Sequence, residues 1–174
     1  MLNSDNTTIV CIDIQDKLVN MLSNGSQIKD NAVKLMKAAA ILDINTIVTE
    51  QYPKGLGNTI SEIKSVKDFK VIEKTSFSAI HADGFPEIKT QNVIIFGIET
   101  HICVYQTALE LSESGKHVYI ISDCSSSRSE INHKTALDAL KQQGIIIETL
   151  EMVLFQFLGN SRHQNFKEIQ GLII

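Results

Sequence analysis

A short apolar run that passes directly into a helical pattern constrains the fold of this chain most. Residues 93–96 are apolar and mostly β-branched, which is typical of a strand buried on both faces. Gly97 and the polar segment 99–101 interrupt this run, and from Ile102 the apolar residues recur at helical spacing. Because parallel strands need a long crossover between them, a buried strand followed by a helix indicates a parallel sheet.

The same alternation runs along the whole chain. Apolar and β-branched runs predict strands over residues 7–12, 45–49, 69–72, 93–96, 116–121 and 145–149. Helical spacing predicts helices over residues 27–42, 102–111, 130–142, 151–158 and 163–172. This order predicts an α/β fold: a three-layer α/β/α sandwich around a six-stranded, mainly parallel, Rossmann-like sheet. With 174 residues and no internal repeat or linker, we expect a single domain over residues 1–174.

Composition limits the class of partner. The net charge is −4 and both signs are spread along the chain, which argues against nucleic acid or an anionic membrane surface. No apolar segment approaches the roughly 20 residues of a membrane span, and residues 1–5 do not begin a signal peptide. The three cysteines are odd in number and lack metal-ligand spacing, which favours reduced thiols. We therefore expect a cytoplasmic protein whose partner is a small-molecule substrate.

Three chemically complementary residues fall at or just beyond the ends of predicted strands. Asp13 follows the first strand, Lys74 the third and Cys103 the fourth. In open parallel sheets, ligands bind at the carboxyl ends of the strands, so we expect these side chains to meet there. A carboxylate to accept the thiol proton, a cation to favour the thiolate and a nucleophilic sulfur are what thiol catalysis requires.

Each residue taken singly has a simpler interpretation. Asp13 suits the cap of a following helix, and Lys74 suits a solvated loop. Cys103 suits a small buried apolar side chain. Its position in the first turn of a helix, where unpaired N–H groups and the helix dipole favour anions, instead predicts a thiolate-like cysteine.

Several motifs in order along the chain resemble one family. They are residues 11–15 (Cys-Ile-Asp-Ile-Gln), 48–57, 73–78 (Glu-Lys-Thr-Ser-Phe-Ser), 97–103 (Gly-Ile-Glu-Thr-His-Ile-Cys), 123–129 and 165–170. Together they resemble the isochorismatase-like cysteine hydrolase superfamily, and in particular the isochorismatase domain-containing proteins. The resemblance extends from about residue 8 to residue 173 and implies the isochorismatase-like hydrolase fold.

The resemblance also implies roles for individual residues. Cys103 corresponds to the nucleophile, Asp13 to the general base and Lys74 to their cationic partner. A cis peptide is implied between Ile98 and Glu99, and the N–H groups of Glu99 and Cys103 are implied to form an oxyanion hole. Members of the superfamily commonly form homo-oligomers, which we expect here.

Two departures from related enzymes refine this expectation. Metal-dependent nicotinamidases carry Asp and His ligands after the second strand, whereas residues 50–61 contain neither, so we expect no metal site and no cofactor. Isochorismatases cleave a vinyl ether without needing a cysteine nucleophile. Cys103 therefore favours an amide or related acyl substrate over isochorismate.

Other residues are candidates for the pocket wall or have structural interpretations. The candidates for the pocket are Gln15, Glu50, Gln51, Tyr52, Phe77 and Thr100, of which Glu50 suits a structural role equally well. The residues expected to be structural are His101 at the helix start, His81 and Asp83 at the surface, and Cys11 and Cys124 as packed thiols.

The leading hypothesis is a metal-independent cysteine hydrolase that cleaves a small-molecule amide or related C–N bond through a thioester. One alternative is a binding or scaffold protein on the same fold, which would lack useful turnover. Another is a thiol redox sensor, which would need a resolving cysteine near Cys103. The apolar segment 166–174 suits either core packing or a subunit contact.

Overall fold

A computed structural model describes residues 2–174 and places the six strands side by side in one sheet. The strands are β1 (Thr7–Ile12), β2 (Asn45–Gln51), β3 (Val71–Lys74), β4 (Asn92–Gly97), β5 (His117–Ile121) and β6 (Ile146–Glu148). Their order is β3-β2-β1-β4-β5-β6, and every neighbouring pair is parallel. The predicted α/β/α fold is thus confirmed, and the sheet is wholly rather than mainly parallel.

Helices cover both faces of the sheet. They are α1 (Asp16–Asn20), α2 (Gly25–Ile41), α3 (Pro53–Leu56), α4 (Ser61–Lys64), α5 (Tyr105–Glu113), α6 (Glu130–Gln142), α7 (Leu150–Leu158) and α8 (Phe166–Gln170). Buried side chains of α2, α7 and α8 form one core with one face of the sheet, and those of α5 and α6 form a second core with the other. The central strands β1 and β4 are buried along their whole length because both cores contact them.

Some predicted boundaries differ from the structure. Strand β2 runs two residues further, to Gln51, and β3 lies at Val71–Lys74 rather than at residues 69–72. Both strands extend to polar residues, because Gln51 and Lys74 form the last pair of the β2–β3 ladder. An apolar pattern does not reveal such residues as part of a strand. The short helices α1, α3 and α4 were not predicted, because five residues or fewer are too few to show a helical repeat.

The predicted start of α5 is also corrected. Residues Thr100–Val104 form a π-helical turn, and the regular helix begins only at Tyr105. The Val104 N–H donates to the Glu99 carbonyl at 3.3 Å, which is the five-residue spacing of a π-helix. Cys103 therefore lies in a wide turn ahead of the α-helix and not in its first regular turn.

The C-terminal segment packs mainly against the core. Ile169 is fully buried, and Phe166, Leu172 and Ile173 are partly buried against the same core as α2 and α7. Ile174 alone in this group is largely exposed. Core packing accounts for most of the apolar character of the segment, and a homo-oligomer stays a prediction. Within residues 2–174, none of the helices has both the length and the apolar character needed to cross a bilayer.

Gly97 allows the ends of β1 and β4 to lie in contact. It pairs with Ile12 at the end of the ladder and has a φ of 142°, a value that favours glycine. A Cβ atom at this position would overlap the carbonyl oxygen and Cα of Ile12. This close approach brings the segment after β4 beside the segment after β1, where Asp13 lies.

We expect Gly97→Ala to lower the free energy of unfolding by about 3–5 kcal/mol, because it adds a backbone clash to an unfavourable φ. Gly84→Ala is the matched control, since Gly84 has a φ of 80° but a Cβ atom added there would have no neighbour within 4 Å. The control should cost only about 1–2 kcal/mol. Urea unfolding followed by circular dichroism measures both, and equal losses would contradict the contact with Ile12.

Candidate active site

Side chains from three strand ends meet at the carboxyl edge of the sheet. Asp13 follows β1, Lys74 is the last residue of β3, and Cys103 lies in the π-helical turn after β4. Asp13 has a φ of 52°, in the left-handed region, where the chain turns away from the strand. The structure thus brings together the three residues that the sequence singled out.

A buried ion pair joins Asp13 to Lys74. The Lys74 Nζ atom lies 2.7 Å from Asp13 Oδ2, and neither side chain is exposed to solvent. The ammonium also donates to Gln51 Oε1 at 2.6 Å and to the carbonyl oxygens of Ser76 and Phe77 at 3.3 and 3.2 Å. These acceptors replace the water that a lysine would have at the surface.

The Asp13 carboxylate has a second fixed partner. The Thr49 hydroxyl donates to Asp13 Oδ1 at 2.7 Å. Burial raises the pKa of Asp13 above its ordinary value, although Lys74, Thr49 and Cys103 partly oppose the effect. A buried carboxylate with a raised pKa is a stronger base than a solvated one, which suits it to accept a proton.

The Cys103 thiol contacts this ion pair but is not thiolate-like. Burial and the negative charge of Asp13 raise the pKa of Cys103 to about 12, while the Lys74 ammonium opposes the shift. The predicted effect of Lys74 agrees in direction, because its charge lowers the thiol pKa, but burial outweighs it and the pKa stays above its ordinary value. The reason is physical: Cys103 is only 6% exposed, and desolvation of the thiolate exceeds the benefit of one cation.

The turn that carries Cys103 is fixed on both sides. The Ile98–Glu99 peptide bond is cis. The Thr100 N–H donates to the Ser126 carbonyl at 2.9 Å, and the Thr107 hydroxyl donates to the Cys103 carbonyl at 2.7 Å. Thr100 itself is fully buried, and its hydroxyl lies 2.9 Å from His133 Nδ1.

The side chain of Glu99 forms a second ion pair, with Arg128. Its Oε1 accepts hydrogen bonds from Arg128 Nε at 2.9 Å and from the Arg128 backbone N–H at 3.0 Å. The carboxylate is nearly buried whereas the guanidinium is about half exposed. The Glu99 carboxylate is thereby bound to Arg128, on the segment that follows β5.

Two of the pocket candidates hold the loop after β2. Gln15 is fully buried, donates to the carbonyls of Gln51 and Gly57 at 3.0 and 2.5 Å, and accepts from the Gln51 N–H at 2.7 Å. Glu50 is buried as well, and its Oε1 accepts from the Thr59 N–H at 2.6 Å. Both side chains therefore support the loop after β2.

Two aromatic candidates lie at the edge of the site. The residues Tyr52 and Phe77 are 55% and 52% exposed, respectively. The Tyr52 N–H donates to the Lys74 carbonyl at 3.0 Å, and the Phe77 carbonyl accepts from the Lys74 ammonium, so both are tied to Lys74. A cleft of about 560 Å³ borders Tyr52 and Lys74, whereas Asp13, Cys103 and Phe77 are not among the residues that line it.

The two histidines expected to be structural, His101 and His81, have partners outside the ion pair. His101 lies beside Ser127, with Nδ1 and Oγ 2.9 Å apart. His81 is mostly exposed and lies 3.0 Å from a carboxylate oxygen of Glu110. Asp83 is exposed and borders the outer part of the cleft.

The other two cysteines are packed in the core. Cys11 and Cys124 are fully buried, and burial raises the pKa of each. No cation opposes the shift at either thiol, in contrast to Cys103. Among residues 2–174, no cluster of three or more His, Cys, Asp or Glu side chains is arranged to hold a metal ion.

Thr49 and Arg128 also contact residues of the site, and neither was predicted as a site residue from the sequence. Threonine is common in strands, so Thr49 gave no signal beyond its position next to the strand end. Arg128 was noted only within a motif, and its pairing with Glu99 spans 29 positions. The signal that could have identified Thr49 is its place near the end of β2, between the strands that lead to Asp13 and Lys74.

Comparison with known proteins adds an independent line of evidence. The isochorismatase domain model matches residues 7–152. Isochorismatase domain-containing protein 2 of Danio rerio is 38% identical over 176 residues, which cover 99% of this chain and 89% of that protein. Isochorismatase domain-containing protein 1 of Salmo salar is 38% identical over 171 residues, and the chain spans about 60% of its length.

Solved structures agree with the sequence matches. A Caenorhabditis elegans protein described as MAR1 ribonuclease has a TM-score of 0.93 and 38% identity, with 99% of this chain and 91% of that chain covered. The Escherichia coli YcaC product, described as an octameric hydrolase of unknown specificity, shares the fold with a TM-score of 0.85 at 22% identity. The two structures match over 99% of this chain and 94% of the Escherichia coli chain. Because the family model matches residues 7–152, which is most of the chain, the chain belongs to the isochorismatase family.

Proposed function

We propose that this protein is a metal-independent cysteine hydrolase that cleaves an amide or a related C–N bond of a small molecule. The observation that carries the proposal is the position of Asp13, which contacts the Lys74 ammonium at 2.7 Å and interacts with the Cys103 thiol. A base, a cation and a nucleophile within one buried cluster are the components of acyl transfer through sulfur.

In the first step, the Cys103 sulfur attacks the carbonyl carbon of the amide while its proton passes to the Asp13 carboxylate. The raised pKa of Asp13 and the cation beside the thiol reduce the pKa difference between the thiol, which gives the proton, and the carboxylate, which accepts it. The carbonyl oxygen becomes an oxyanion, which the N–H groups of Glu99 and Cys103 are proposed to bind.

In the second step, the tetrahedral intermediate collapses and the C–N bond breaks. The proton held by Asp13 passes to the departing nitrogen, so that ammonia or an amine leaves and an acyl thioester stays on Cys103. Water then attacks the thioester carbonyl carbon and gives a proton to Asp13. The C–S bond breaks, the acid is released, and the proton returns from Asp13 to the thiolate.

The alternatives have less support from the structure. A redox sensor needs a second thiol near Cys103, whereas Cys124 is fully buried and its electrostatic neighbour among the cysteines is Cys11. A ribonuclease role, suggested by the description of the nematode relative, conflicts with the net charge of −4. Screening an amide library for released ammonia, with an RNA substrate in parallel, distinguishes amide hydrolysis from ribonuclease activity.

Cys103→Ala should lower turnover of the amide found in that screen by at least about 10³-fold, because it removes the nucleophile. Cys124→Ala is the matched control, since it removes a buried thiol outside the ion-pair cluster. Activity is measured per folded molecule, with folding checked by circular dichroism. Retained turnover in Cys103→Ala would contradict the thioester route.

Cys103 should react with iodoacetamide before Cys11 and Cys124, because it alone has measurable exposure and a neighbouring cation. With a resting pKa of about 12, its alkylation rate should rise steadily with pH from 7 to 9, since the thiolate fraction increases throughout this range. Peptide mass mapping at each pH measures the rate. A plateau below pH 8 would show that the resting thiol is already ionised.

Prolonged treatment with EDTA should leave turnover unchanged, because residues 50–61 lack the Asp and His ligands of metal-dependent relatives. Activity before and after dialysis provides the measurement, and Cys103→Ala gives the background. Activity that is lost on chelation and restored by zinc or manganese would show that a metal takes part.

A further inference from the structure

Strand β2 lies between the two strands that supply the ion pair. Asp13 follows β1 on one side of it, and Lys74 ends β3 on the other. In the ladder, Thr49 pairs with Ile12, the residue before Asp13, and Gln51 pairs with Lys74 itself. Residues two apart on a strand face the same side of a sheet, so Thr49 and Gln51 both face the ion pair.

Each of these side chains holds one member of the pair. The Thr49 hydroxyl donates to Asp13 Oδ1 at 2.7 Å, on the oxygen that Lys74 does not contact. The Gln51 Oε1 atom accepts from the Lys74 ammonium at 2.6 Å, and its Nε2 atom donates to the Thr75 carbonyl at 2.9 Å. The amide of Gln51 is thus oriented by the residue after Lys74 and presents its oxygen to the ammonium.

We propose that Thr49 and Gln51 are positioning residues that hold the Asp13 carboxylate and the Lys74 ammonium in their reactive arrangement. This inference rests on the proposed roles of Asp13 and Lys74. The pair Thr49 and Gln51 is called the β2 clamp below.

The uncharged character of Gln51 is essential to its part in the clamp. A neutral oxygen fixes the position of the ammonium without cancelling its charge, so the charge stays available to the Cys103 sulfur as it becomes a thiolate. A carboxylate at the same place would bind Lys74 equally closely but would add a second negative charge beside Asp13. The clamp therefore depends on an uncharged acceptor at this position rather than on a carboxylate.

The backbone contacts of the loop separate this role from a general structural one. Gln15 holds Gln51 through its backbone N–H and carbonyl, and these contacts do not involve the Gln51 side chain. Substituting the side chain therefore leaves that attachment in place. Effects of a substitution at Gln51 can then be assigned to Lys74 and Thr75, its side-chain partners.

Thr49→Val tests the first half of the clamp, because it removes the hydroxyl and keeps the shape. Asp13 must be ionised to accept the thiol proton, and loss of this hydrogen bond disfavours the ionised form. The acid limb of the kcat/KM profile should move up by about one pH unit, with kcat lowered and KM little changed. Thr49→Ser, which keeps the hydroxyl, should restore the wild-type profile.

Thr46→Val is the matched control for this substitution. Thr46 lies on the same strand, near its other end, and its hydroxyl donates to the Ile44 carbonyl. The control should leave the pH profile unchanged. An acid limb that does not move in Thr49→Val, with only a lower melting temperature, would reduce Thr49 to a structural residue.

Gln51→Glu tests the second half of the clamp without needing a substrate. The added negative charge should slow iodoacetamide alkylation of Cys103 about tenfold at pH 8, which is one unit of thiol pKa. Gln51→Met, which removes the acceptor and adds no charge, should also slow it because the ammonium is no longer fixed. Gln91→Glu, an exposed position that contacts the Gly115 carbonyl, is the matched control and should react like wild type.

The outcomes separate the clamp from the proposed function. Wild-type alkylation rates in folded Gln51→Glu and Gln51→Met would overturn the assignment of Gln51, whatever the turnover. A wild-type protein that hydrolyses no amide would overturn the proposed function, and the alkylation rates would still decide the role of Gln51. Thermal unfolding of every variant confirms that the rates belong to folded protein.

Discussion

The contact between Asp13 and Lys74 is the interaction on which the rest of the site depends. Two opposite charges with no solvent exposure are stable only when their mutual attraction is supplemented by further hydrogen bonds. The structure supplies them from Thr49 and Gln51 and from two backbone carbonyls of the loop after β3. Because removing one partner of a buried pair typically costs about 3–5 kcal/mol, these contacts stabilise the fold as well as the proposed catalytic arrangement.

The parallel topology explains why this pair can form at all. Asp13 follows β1 and Lys74 ends β3, and the order β3-β2-β1 places the end of β2, with Thr49 and Gln51, between them. On the other side of β1, the close approach at Gly97 brings the turn of Cys103 to the same edge. Four adjacent strand ends, those of β3, β2, β1 and β4, therefore meet at this edge, and Lys74, Asp13 and Cys103 come from β3, β1 and the turn after β4.

The sequence predicted the fold, the strand ends and the residues that gather there, because hydrophobic periodicity and strand order carry that information. It did not predict the electrostatics of Cys103, because a helix-start position says nothing about how deeply the sulfur is buried. Thr49 also escaped prediction, since threonine in a strand has an ordinary explanation. Gln51 was predicted as a pocket residue, whereas its amide contacts the Lys74 ammonium.

A resting thiol with a pKa of about 12 has a consequence for the proposed chemistry. Such a thiol is almost wholly protonated at neutral pH, so in the proposed mechanism the thiolate forms as the substrate arrives rather than beforehand. The base must then be close, correctly oriented and more basic than a surface carboxylate, which are the properties that burial, Lys74 and Thr49 give to Asp13. Exclusion of water lowers the intrinsic acidity of the thiol but strengthens every electrostatic contact that acts during proton transfer. The burial that opposes a thiolate in the free protein thus favours a mechanism in which proton transfer accompanies attack.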